Sequence, residues 1–207
     1  MISSIVVDHL TAKFANNAGV GIAYIYCNYQ PRQEQKPEDL LSGLLKQLSR
    51  EQPVTPTGVR HLYERHSTKG TRPSFNEIVR ALHSTVRLYS RVFIVIDALD
   101  EYRASNKEGQ NRLLSEVFSL QKNAQLNLYA TSRFISEITS QFNGCISKEI
   151  RAQDDDVLCY VNGRIPQLLQ SQISKYPKIQ DMIRSNLVKA VDGMYVNSSV
   201  NIYTKPD

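Results

Sequence analysis

Three carboxylates close a short apolar run. In "RVFIVIDALDEY", residues 91–102, Val92 to Ile96 lead directly into Asp97, with Asp100 and Glu101 just behind it. A second run, "LNLYATSR" (126–133), ends in Ser132 and Arg133. An acid of this kind can hold Mg²⁺, which takes oxygen ligands and is commonly bound by one or two carboxylates plus phosphates. A second acid a few residues on, Asp100 or Glu101, can orient or deprotonate a water. An arginine beside them can meet charge on a transferring phosphoryl group. Ala98 is small and leaves room beside Asp97 for phosphates. The bland reading stands next to this one: an apolar strand followed by Asp and a turn is common, because Asp caps turns and helices.

Both runs need strands to position them. The run at 91–97 is continuously apolar, as expected of a strand buried on both faces. "VGIAYIYCNY" (20–29) is rich in β-branched and aromatic residues between glycines and also reads as a strand. A fourth strand is expected near 145–150. Helical periodicity fills the intervals. Residues 2–14 place Ile2, Ile5, Val6, Leu10 and Phe14 on one face. "KPEDLLSGLLKQL" opens with Pro37 in its first turn and presents Leu40, Leu41, Leu44, Leu45 and Leu48. A short helix is expected near 57–66. Ser74 and Glu77 form a capping box ahead of Phe75, Ile78, Val79, Leu82 and Val86. Further helices are expected over 108–121 and 134–142. This alternation argues for an α/β fold with a mostly parallel sheet and helices on both faces. In such sheets ligands bind beyond the carboxyl ends of the strands, where Asp97, Ser132 and Arg133 all fall. From about 154 the pattern turns helical, with Pro166 breaking one helix and another running over 178–192. The final fourteen residues read as a loose tail.

Composition narrows the class. The chain has 207 residues, 41% apolar and 22% charged, which suits a globular α/β domain with part of a second. A net charge of +5 is compatible with an anionic ligand without requiring one. The stretch holding Arg60, His61, Arg65, His66, Lys69 and Arg72 lacks aromatic interleaving, so nucleic acid is not the expected partner. His9 and His83 have no metal spacing. No apolar run reaches the ~18 residues of a membrane span. Cys27, Cys145 and Cys159 read as buried free thiols, and the cytoplasm is the expected location.

Taken together, the motifs resemble a known family. "VFIVIDALDEY" resembles the Walker B segment of NACHT-type NTPases of the STAND class, and "LYATSR" resembles their sensor-1 strand. "AYIYCNY" with "PEDLLSGLLKQL" is similar to the second strand and following helix of fungal NACHT proteins and nephrocystin-like N-terminal domains. "DDDVLCYV" resembles the acidic helix start after their last core strand. The resemblance covers about residues 1–193. It implies a P-loop ATPase fold, ATP with Mg²⁺ as cofactors, and a nucleotide-dependent signalling switch that self-associates or joins other STAND proteins. By position, Asp97 is the Mg²⁺-associated acid, Asp100 and Glu101 are the candidates for activating water, and Arg133 with Ser132 senses phosphate.

One departure is large. A phosphate cradle needs G-x-x-x-x-G-K-[ST], and this sequence contains no Gly-Lys pair. "MISSIVVDHL" resembles the helix that follows the cradle. The expectation is therefore an incomplete P-loop sheet over 1–152, lacking its first strand, then the start of a helical subdomain over 153–193 and an irregular tail over 194–207. The missing strand would lie between those at 127–131 and 145–150. Such a chain is expected to be unable to hydrolyse ATP alone. The alternative is a non-catalytic interaction or regulatory fragment of a STAND protein.

Overall fold

The computed structural model describes residues 2–27, 35–102, 107–150 and 198–203, with positions 159, 162, 163, 182 and 186 between them. The first helix, α1 (Ile2–Phe14), leads to β1 (Val20–Tyr26). Three helices follow: α2 (Pro37–Arg50), α3 (Thr57–Ser67) and α4 (Phe75–Val86). Then come β2 (Arg91–Asp97), a 3-10 turn at Leu99–Glu101, α5 (Lys107–Asn123) and β3 (Leu126–Ala130). The short α6 (Ser136–Thr139) and a 3-10 turn at Ser140–Phe142 precede β4 (Ile146–Ile150), and β5 is Ser198–Tyr203. Two compact units divide the chain. One comprises residues 1–147 with 199–207, and the other 148–198. In the second, the five isolated positions named above are helical, and the rest of the helices expected over 154–192 lies outside the described residues.

β2 is the centre of a parallel core, as its apolar run requires. It pairs with β1 from Val20↔Arg91 to Tyr26↔Asp97 and with β3 from Val92↔Leu126 to Ile96↔Ala130. Val92, Ile94, Val95 and Ile96 are all buried. Helices cover both faces. α2, α4 and α5 supply Leu41, Leu44, Leu48, Leu82, Val86, Leu113, Leu114 and Val117 to a single apolar cluster. The approach is close at Gly21, where an added Cβ would sit 2.9 Å from Leu48 Cδ2 and 3.1 Å from the Tyr89 ring. Tyr89 is fixed there by donating its hydroxyl proton to Leu48 O. On the opposite face Phe14 of α1 stacks on Phe93 at 5.4 Å between centroids. A parallel three-stranded sheet flanked by helices in this way is consistent with an incomplete P-loop-like α/β fold.

Three expectations are corrected. The strand order is β1-β2-β3-β5-β4, so the place foreseen for an absent strand holds β5, which runs antiparallel to β3 with Leu128↔Tyr203, Tyr129↔Ile202 and Ala130↔Asn201. The tail over 194–207 thus contains a strand. Its signal was the period-two pair Val200 and Ile202, within a segment that had lost helical period. Second, α1 does not bury the face its isoleucines suggest. Ser3 and Val7 are its buried residues, whereas Ile2 and Ile5 are 39% and 67% exposed. The polar Ser3 outranks them because it has a hydrogen-bond partner in the fold, described below. Third, the cysteines are free, but only Cys27 is buried; Cys145 is half-buried and Cys159 exposed.

Candidate functional site

Asp97 is the last residue of β2, and its carboxylate is held by hydroxyls from two distant elements. Thr131, immediately after β3, donates to Asp97 Oδ1 at 2.8 Å. Ser3 of α1 donates to the same oxygen. Thr131 Oγ1 in turn accepts the Ala98 N–H at 2.9 Å, and Thr131 O accepts the Leu99 N–H at 2.8 Å. The turns after β2 and β3 are therefore stitched together by one threonine. Ala98 takes a left-handed conformation, φ 53° and ψ 50°, and is the sole non-glycine with positive φ among the described residues. Such a backbone costs a non-glycine residue about 1–3 kcal/mol and persists where surrounding bonds over-determine it. Here the Ala98–Thr131–Asp97 bonds do so.

Asp100 and Arg133 meet directly. Arg133 donates its backbone N–H to Asp100 Oδ1 at 2.9 Å and its Nε–H to Oδ2 at 2.6 Å. The Asp100 side chain is only 4% exposed, while that of Arg133 is 66% exposed. The hydrogen bond and charge of Asp100 raise the arginine pKa above its ordinary value. Both oxygens of the Asp100 carboxylate are thus engaged by Arg133. Glu101 closes the 3-10 turn. Ser132 is buried and donates its hydroxyl to Arg133 O at 2.8 Å, turned toward the loop rather than offered to a ligand.

All five residues singled out in the sequence thus gather at the carboxyl ends of β2 and β3. Their field is negative. The backbone N–H of Cys27 donates to Asp97 O, and the Cys27 thiol is pushed up to about 12, first by burial and then by the charges of Asp97, Asp100 and Glu101. A divalent cation suits that field. Among the described residues, however, no group of three or more His, Cys, Asp or Glu could hold a metal by itself. Asp97 therefore fits Mg²⁺ as one acid acting together with phosphates and water, and not as part of a closed protein cage.

Two contributors escaped the sequence reading. Thr131 adjoins the named Ser132 and lies at a strand end, which was signal enough to include it. Ser3 gave no local signal, since it is 94 residues from Asp97.

The fold is that of an α/β domain, with acids and an arginine gathered at the carboxyl ends of two neighbouring parallel strands. Residues 1–133 match the family model for the N-terminal domain of nephrocystin 3, and the chain belongs to that family. No curated protein matches it. Among the described residues no helix is long and apolar enough to cross a membrane.

Proposed function

We propose that this chain is the acid-and-sensor half of a nucleotide-responsive NACHT/STAND-type signalling module. The observation that carries this reading is the convergence of Asp97, held by two hydroxyls, with Arg133 at the neighbouring strand end. In it Asp97 works with Mg²⁺, which supplies charge neutralisation on the phosphates when bound. Glu101 faces the water, and Arg133 meets the terminal phosphate with Asp100 setting its orientation. The chain acts in the cytoplasm and associates with copies of itself or with related STAND proteins.

The sequence has no Gly-Lys pair, so the phosphate cradle must come from outside it. Each charge-assisted hydrogen bond of such a cradle is worth about 1.5–3 kcal/mol, and the loss of several leaves nucleotide binding weak. The same absence favours a second reading, a non-catalytic regulatory fragment that pairs with complete relatives.

The test is ATP binding and turnover by the purified chain with and without Mg²⁺. Weak binding that needs Mg²⁺ and is lost in Asp97→Asn is expected, with no turnover. Mg²⁺-dependent turnover abolished by Glu101→Gln would overturn the non-hydrolysing reading. Binding indifferent to both Mg²⁺ and Asp97→Asn would remove Asp97 from its role.

A further inference from the structure

Among the described residues β1 ends the sheet, so half of its main-chain groups face away from β2. Alternation fixes which half. The Cys27 N–H points inward to Asp97 O at 3.0 Å, so residues 20, 22, 24 and 26 point outward. At Val20 the outward N–H is taken by Asn17 O at 3.0 Å. At Tyr24 the partner is a side chain. Gln47 of α2 accepts the Tyr24 N–H on Oε1 at 3.0 Å and donates Nε2–H to Tyr24 O at 2.8 Å. A primary amide carries the same donor and acceptor as a peptide unit. Gln47 therefore does at this rung what one residue of an adjacent strand would do.

We propose that Gln47 is a side-chain substitute for a neighbouring strand, and that it keeps β1 from pairing with β1 of a second copy of this chain. An open strand edge is a template for another chain, and proteins close such edges with specific devices. A second copy is the natural occupant because two identical edges related by a two-fold axis offer each other matching rungs in antiparallel sense. The space beside the edge admits it: a groove of about 880 Å³ runs between α1 and the end of α2, floored by Val20, Ile22 and Tyr24. Arg50, Asp8 and Glu51 line it with both signs of charge, so no single-sign barrier repels an identical copy. The Tyr24 and Tyr26 rings, 5.3 Å apart and 38% and 40% exposed, stand ready on the same strand for cross-strand contact.

Sedimentation velocity on the full chain tests this. Gln47→Ala uncovers the two hydrogen-bonding groups of one rung and is expected to tighten self-association about tenfold over the unaltered chain. Adding Ile22→Pro removes the next outward N–H, a change that an edge strand tolerates, and should reverse the gain. Circular dichroism confirms the fold of each variant. If Gln47→Ala unfolds, Gln47→Glu carries the test: it keeps the acceptor, loses the donor, and should show a smaller tightening. Folded variants no more associated than the unaltered chain overturn the proposal. So does an association that Ile22→Pro leaves in place.

Discussion

Thr131 uses both halves of its hydroxyl. It donates to Asp97 and accepts from Ala98, so one atom fixes the direction of the acid and the left-handed turn behind it. Valine has the same shape without the oxygen. Thr131→Val leaves the Ala98 N–H and Asp97 Oδ1 without that partner in a half-buried place, and should cost about 1–3 kcal/mol in urea unfolding. Thr131→Ser restores the oxygen and should recover most of the loss. A valine variant as stable as the unaltered chain would show that the turn holds without the threonine. The residue scale is also where the sequence was least legible. Asp97 announced itself through the apolar run before it. Its partners did not, because a hydroxyl's importance depends on what folding brings beside it. The same blindness gave Asp100 and Arg133 separate roles, toward water and toward phosphate, whereas the two are bonded to each other.

Elements were more legible, since their signals are local. The capping box at Ser74 and Glu77 shows why. Its residues sit three apart in sequence, and the helix it opens begins at Phe75 as expected. The Glu77 carboxylate accepts from the Ser74 N–H and hydroxyl at 2.9 and 2.7 Å, and from Arg65 of α3 at 2.9 Å. These bonds, the Ser74 backbone first, hold its pKa down to about 2 from the usual 4.5. The folded value lies below the unfolded one. Glu77 therefore contributes stability that is complete above pH 4.5 or so and is lost as the pH falls through about 2. Thermal unfolding of the parent and Glu77→Gln should differ most near neutrality, with the parent more stable. The gap should narrow below about pH 4.5 and close below about pH 2. A gap that stays constant with pH would assign the effect to helix propensity and not to the charge. Where α1 misled, the cause was likewise physical. Periodicity ranks residues by hydrophobicity, and the bond from Ser3 to Asp97 overrode Ile2 and Ile5.

At the scale of the molecule, the parallel sense of β1, β2 and β3 followed from the alternation of strands and helices, because a parallel connection needs a crossover. The antiparallel β5 did not follow. No local pattern can specify that a segment some 70 residues after β3 pairs with it, and a short alternation such as Val200-Asn201-Ile202 fits many edges. Yet β3 needs a neighbour on that side: Leu128, Tyr129 and Ala130 are buried, and their main-chain groups face either β2 or β5. Prolines at both 201 and 202 remove two consecutive N–H groups of β5, and alternation along the strand directs one of the two toward β3. Hydrogen exchange should then quicken at the β3 amides directed toward β5, by about tenfold or more for the loss of a strand pairing worth over 1 kcal/mol. The β1–β2 amides should be unchanged, since their bonds lie two strands away. Equal acceleration across all three parallel strands would mean that β5 secures the whole sheet, and no change at β3 would mean that β5 contributes nothing to holding its edge.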